Sequence, residues 1–210
     1  MATTPAGAAL TDAYRIAQGQ VNAQTVARLR QIFPLLDPTD LDGTLDRWLA
    51  NATRIVEEQH ALSTTIARTY LREFQRAELG DLPFSAPAVP GLELEQIRTA
   101  LTLQGPVRVK AAMTAGTDLV DAFDMAGLTS GRSGGRLALA GARDTVVAYV
   151  NDPDSPARGY VRVTSPGACN FCTELAQYSD AAIYGATVNT ALWGEFESHD
   201  NCNCHPEPAY

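Results

Sequence analysis

The sequence predicts a mostly α-helical fold: a long-helix N-terminal helical region over residues 1–151, followed by a small α+β, Cys/His-containing C-terminal module over residues 157–210. Three observations carry that expectation. Apolar side chains recur every three to four positions through most of residues 8–150, the period of an amphipathic helix. The stretch "NDPDSPARG" at 151–159, with two prolines, a glycine and alternating charge, then interrupts the pattern as a linker. Beyond it the texture changes to alternating residues, and all four cysteines fall after residue 168.

Residues 8–33 carry apolar side chains at helical spacing, and Pro34 closes the run. The preceding "ATTPAGAA" is rich in small residues and is expected to fray. In "LDPTDLDGTLDRW" an Asp and a Thr stand where they would cap a new helix. From Leu41 to Leu79 a stripe steps through Leu45, Trp48, Ala52, Ile55, Gln59, Leu62 and Ile66, then continues slightly rotated with Tyr70, Phe74 and Ala77. Such a helix would be ~60 Å long at ~1.5 Å per residue, and must pack against partners along most of its length, in this chain or another. Trp48, Tyr70 and Phe74 read as core anchors, and His60 as a surface or partly buried helix residue. Arg68, Arg72 and Arg76 recur every four residues, which with Glu73 and Glu78 nearby reads as a solvated face.

"GDLPFSAPAVPG" breaks the helix with three prolines and two glycines. Residues 92–104 resume it, and Gly105 and Pro106 end it. Residues 107–128 read as a further helix, "SGRSGG" at 130–135 as a flexible loop lacking the lysine and spacing of a phosphate loop, and 136–150 as a last helix. In the tail, "GYVRVTS" alternates like a strand, "CNFCTELAQYS" forms a short helix, and 180–198 contains strand-sized pieces.

A hydrophobic fraction of 45% and a charged fraction of 19% are those of a globular chain. No apolar run approaches the ~20 residues of a membrane span. The first residues lack the basic and apolar regions of a secretion signal, so a protein made and kept in the cytoplasm, with reduced thiols, is expected. The net charge of -8 is uneven: residues 151–210 hold eight acidic side chains against only Arg158 and Arg162. Nucleic acid is bound by neutralising phosphates, so the acidic tail is a poor candidate for it.

The tail reads C-x2-C, 26 residues, then H-x2-C-x-C-H. A tetrahedral Zn²⁺ takes four thiolate or imidazole ligands, and a C-x2-C turn delivers two sulfurs at once, with Pro166 and Gly167 suited to that turn. Metal binding would supply folding free energy to a module of some fifty-odd residues that buries little apolar surface. The favoured ligands of one structural Zn²⁺ are Cys169, Cys172, His199 and one or both of Cys202 and Cys204, with His205 a spectator. Packed thiols or two disulfides are the competing readings. A thioredoxin-like pair lacks its βαβ unit. A zinc deaminase lacks its H-x-E and P-C-x-x-C. A hydrolase joining Cys169 or a serine to His199 and Asp200 has no supporting motif. No catalytic or organic-cofactor residue is assigned.

"RVTSPGACNFCTELAQ" followed by "HDNCNCHPEP" resembles the C-terminal segment of the MuF-like phage head morphogenesis proteins, also called minor capsid proteins. The matching positions are Arg162, Gly167, Cys169, Cys172, His199, Cys202, Cys204 and Pro206, within residues 157–208. The resemblance implies a low-copy protein inside the phage head. Its partners would be the portal protein and major capsid or scaffold proteins, with self-association through the helices, and its task procapsid assembly or DNA delivery. It also implies that the cluster supports folding through a metal. Some related proteins are labelled capsid maturation proteases, which is the alternative activity.

Overall fold

The computed structural model describes residues 2–181 and 196–210, with side chains from 177 to 181 left aside. Helix α1 spans Pro5–Ile32 and runs into a 3-10 turn at Phe33–Leu35; α2 spans Leu41–Leu79, α3 Leu94–Gln104, α4 Pro106–Thr114 and α5 Leu119–Asn151. Strand β1 (Gly159–Val163), helix α6 (Asn170–Ala181) and strand β2 (His205–Ala209) complete the described chain. The mostly α-helical class with a small two-stranded sheet is thus the observed one. The strand-sized pieces expected within 180–198 fall largely outside the described residues.

Helices α1, α2 and α5 pack on one another, and α3 and α4 lie against α5. The predicted 39-residue helix forms over its whole length because Asp40 accepts the Gly43 N–H at 3.0 Å as its N-cap and Gly80, at φ 83, stops it. Trp48 and Phe74 are fully buried in it. The stripe departs from the expected line after Gln59: Leu62 is 41% exposed, and the buried face runs through His60, Ser63, Ala67 and Leu71. The reason is polar. Ser63 Oγ donates to Gln18 Oε1 at 2.7 Å, Gln18 Nε2 donates to the Ser63 carbonyl, and the Ala142 N–H reaches Ser63 Oγ, so the three helices share a small hydroxyl at their crossing.

Three other expectations are corrected. "SGRSGG" is no loop but the middle of α5. A Cβ on Gly134 would stand 2.1 Å from Leu29 Cδ1, on Gly135 2.0 Å from Asn22 Oδ1, and on Gly141 2.5 Å from the His60 carbonyl oxygen. The glycines are the contact face that lets α1 and α2 approach, and this tertiary gain outweighs their poor helix propensity of ~1 kcal/mol each. The helix expected over 107–128 is two, parted at Ala115–Asp118: Gly116 takes φ 91 and Asp118 caps α5 through the N–H groups of Val120 and Asp121. The amino-terminal residues are held, not frayed. Thr4 caps α1, Glu78 accepts the N–H groups of Thr3 and Thr4 at 2.9 and 3.1 Å, and the Ala2 N–H donates to Glu207 Oε1 at 2.7 Å.

The arginine strip of α2 is partly employed. Arg68 donates to the Pro87 carbonyl, Arg72 lies over the Phe84 ring, and Arg76 pairs with Asp81, which together hold the proline-rich 80–91 segment along the helix.

β1 and β2 pair antiparallel, from Gly159 opposite Ala209 to Val163 opposite His205. The Ala209 carbonyl accepts the Arg158 N–H, so residues 205, 207 and 209 present their backbone groups to β1, and Pro206 and Pro208 occupy the positions that need no ladder donor. One core cluster joins Tyr14, Tyr70 and Phe74 of the helices to Tyr160, Cys172, Cys202 and Cys204.

Candidate metal centre

The ribbon ends at Val163 and His205, so the chain leaves one strand at Thr164 and enters the other from Cys204 at the same place. Both cysteine clusters therefore emerge side by side. Each is shaped by a turn. In Ser165–Pro166–Gly167–Ala168 the Ala168 N–H donates to the Ser165 carbonyl, and Gly167 takes the φ of 75 that the third position of a type II turn requires. Cys169 then stands just before α6, where its Sγ lies 3.5 Å from the Cys172 N–H, with Cys172 one turn on. In His199–Asp200–Asn201–Cys202 the Cys202 N–H donates to the His199 carbonyl, and Asn201 accepts a φ of 68. First and fourth positions of a turn lie close, so His199 and Cys202 are delivered together.

The donor atoms form two groups, Cys169–Cys172–His199 and Cys172–Cys202–Cys204, each within 4.8 Å, with Cys172 common to both. A tetrahedral zinc with bonds of ~2.3 Å to sulfur and ~2.0 Å to nitrogen has S···S edges of ~3.8 Å and S···N edges of ~3.5 Å. Cys172 Sγ lies 3.5 Å from Cys202 Sγ and 3.5 Å from His199 Nε2, close to those edges. Cys169 Sγ, at 2.8 Å from His199 Nε2, would open by ~0.7 Å to meet the same tetrahedron. The five donors suit a soft divalent ion, and four thiols without a disulfide leave every sulfur free to ligate. His199 Nδ1 lies 2.8 Å from the Asp200 carbonyl oxygen, which can only accept, so Nδ1 carries the proton and the Nε2 lone pair faces the sulfurs. These residues line a polar cavity of about 170 Å³.

The electrostatics divide the thiols. The Cys172 N–H, with His199 behind it, holds the Cys169 thiol below its ordinary range, and the Asp200 carbonyl and Cys169 raise the His199 imidazole. The Cys204 thiol and the Arg143 guanidinium bring Cys202 down to about 4, against burial. Burial and the Cys202 side chain push Cys172 up to about 12, while Cys202 and burial raise Cys204.

Helices hold the second turn. Arg136 donates to Asp200 at 2.9 Å, Asn22 to Asn203 at 2.8 Å, and Arg143, buried in α5, to the carbonyls of Cys202 at 2.6 Å and Cys204 at 3.2 Å. Arg162 of β1 stacks on Phe196 at 3.8 Å and donates to the Glu197 carbonyl at 2.7 Å. Sequence reasoning named Arg162 through the resemblance but missed Arg143. Its signal was available: in the apolar line Leu139, Arg143, Val146, Val150, an arginine occupies a core position. His205 belongs to neither donor group and faces Tyr14 edge-on from β2.

The fold and the site together define an α-helical protein carrying a ribbon-mounted thiolate–imidazole cluster able to hold a metal ion. The VG15 protein family matches residues 6–210, so the likeness spans the helices as well as the tail; the chain belongs to the VG15 family, a viral or phage protein family. No curated protein and no solved structure matches the chain. No helix among the described residues is long and apolar enough to cross a membrane.

Proposed function

We propose that the protein is a minor component of the phage head: a low-copy internal protein that associates with the portal and assists procapsid assembly or DNA delivery. Its C-terminal segment would fold around one structural Zn²⁺ held by Cys169, Cys172, His199 and Cys202, with Cys204 beside them. The observation that carries this reading is the meeting of both halves of the MuF-like tail motif around one small polar cavity, in a chain of a viral or phage family. Helices α1 and α2 supply the long packing surfaces that a portal, capsid or scaffold partner would use, and the acidic tail disfavours nucleic acid as its partner. The zinc would cross-link two turns and supply no reaction.

Two measurements test it. Quantitative mass spectrometry of purified particles is expected to find the chain at few copies relative to the major capsid protein; its absence from particles and procapsids refutes the placement. Elemental analysis with thiol counting is expected to give about one zinc per chain with protected thiols. Four reactive thiols without zinc refute the metal.

One observation favours the second reading, a capsid maturation protease: Cys169 Sγ stands 2.8 Å from His199 Nε2, a thiol–imidazole distance suited to a nucleophile and its base. Against it, Cys172 shares the same nitrogen and Asp200 is engaged by Arg136. Cys172→Ser separates the two. A zinc ligand lost there abolishes metal stoichiometry, whereas a protease working through Cys169 retains cleaved capsid protein.

A further inference from the structure

A buried positive charge stands behind the cysteine turn. Arg143 is 3% exposed, and among the described residues its guanidinium meets no carboxylate; its hydrogen bonds go to the carbonyls of Cys202 and Cys204, and its Nη1 has no partner. Arg162, 7% exposed, stacks on Phe196, the ring that Arg143 also approaches, and among the described residues its Nη1 too has no partner. Two guanidiniums thus lie within 6 Å of one aromatic ring beside the sulfur cluster. Buried charges persist in folded proteins when something of opposite sign compensates them. A divalent ion with three thiolates and an imidazole carries a net charge of minus one, and with four thiolates minus two.

We propose that Arg143 is the countercharge of the thiolate–metal centre, so that metal binding and docking of the C-terminal segment on α5 form one linked equilibrium. The inference rests on the metal reading above. With the metal in place the centre is anionic and Arg143 is compensated from the loop it already binds through two carbonyls. With the metal gone no ion ties the turn at 199–202 to the turn at 165–168, and the loop that Arg143 holds through two carbonyls loses its fixed place beside the guanidinium. The segment then undocks to let water reach it. Linkage makes the coupling reciprocal: whatever the metal contributes to docking, Arg143 contributes to metal affinity by the same factor. Arg143 is here a positioning residue, acting through the loop that carries the ligands.

The test uses the full chain, Zn²⁺ titrated against a competing chelator, and Co²⁺ as a spectroscopic reporter of thiolate coordination. Arg143→Met, which keeps most of the stem and removes the charge, is expected to weaken zinc binding about 10- to 100-fold, as loss of an outer-shell partner does. Arg143→Lys, which keeps the charge without the two-carbonyl fork, is expected to fall between the two, and Arg132→Gln on the exposed side of α5 to match wild type. Zinc affinity of Arg143→Met within about twofold of wild type overturns the inference. Should Arg143→Met fail to fold, the wild-type chain decides. Stripping its zinc is expected to raise amide exchange over 199–209 and 159–163 by about tenfold or more, with the α1–α2 core unchanged; unaltered exchange overturns the coupling. A wild-type chain that binds no zinc overturns the metal reading and this inference with it. Normal zinc binding by Arg143→Met overturns this inference alone.

Discussion

The same substitution, glycine to alanine, is expected to act with opposite sign at two helical positions of this chain. A Cβ on Gly19 in α1 meets nothing within 4 Å, so Gly19→Ala gains only the helix propensity difference of ~0.5–1 kcal/mol. A Cβ on Gly141 in α5 would lie 2.5 Å from the His60 carbonyl oxygen and 2.5 Å from Thr64 Oγ1, about 1 Å inside ordinary contact. The carbonyl is bound into α2 and cannot rotate aside, and Thr64 Oγ1 is itself tied to that carbonyl at 3.0 Å. Relief requires α2 and α5 to separate, which opens the Ser63–Gln18–Ala142 junction beside them. Overpacking of that kind costs ~3 kcal/mol, the top of the usual range, and the propensity gain returns ~1, leaving a net loss of ~2 kcal/mol. For a chain of this size ~1 kcal/mol shifts Tm by ~2–4 °C. Gly141→Ala should therefore melt ~4–8 °C below wild type, and Gly19→Ala ~1–4 °C above it, by calorimetry at one pH and salt. A Gly141→Ala variant as stable as wild type would refute the claim that the α5 glycines exist for close helix approach.

Two further outcomes are expected. Gln75, 2% exposed, donates to the carbonyls of Leu82 and Pro83 and accepts from the Tyr149 hydroxyl at 2.7 Å, so Gln75→Leu strands buried polar groups at ~1–3 kcal/mol each. The 80–91 segment should become the first site cut in limited proteolysis; an unchanged cleavage pattern would show that the segment is held otherwise. Burial keeps the His60 imidazole below its usual range, so the folded chain stays neutral there while the unfolded chain takes a proton near pH ~6.5. The stability this group contributes is complete above pH ~6.5 and is lost as pH falls below it toward the lower folded value. The fall in urea midpoint between about pH 7.5 and about pH 5.5 should shrink in His60→Gln, and an equal fall in both proteins would rule His60 out.

The elements read most fully from sequence are those whose signals are local. The 39 residues of α2 lie between an Asp cap and a glycine stop, and the periodicity between them needs no knowledge of a partner. The cysteine and histidine spacing was legible for the same reason, since each pair occupies a single turn. What escaped depends on distance across the fold. "SGRSGG" carries the composition of a loop, and only the neighbouring Leu29 and Asn22 turn its glycines into a contact face. Glu207, in a proline-rich tail, gave no sign that it would accept from Ala2 at the opposite end of the sequence. The stripe through Leu62 failed because the residue that meets α5 is the buried Ser63, whose hydroxyl carries no apolar signal.

The size of the tail had suggested that metal ligands stand in for a missing core. The packing changes that argument. A two-stranded ribbon is marginal alone, but this one rests on Tyr14, Tyr70, Phe74 and Val146, and three of its cysteines are part of that same cluster. The apolar surface of the helices therefore covers the ribbon, while the ribbon's end, where the turns at 165–168 and 199–202 converge, holds chiefly sulfur, imidazole and backbone carbonyls around a polar cavity. Apolar packing stops where those polar groups begin. A metal at that point would not replace the core. It would close the end of the ribbon where the core gives way to polar groups, and where charge from Arg143 and Arg162 has to be met by charge.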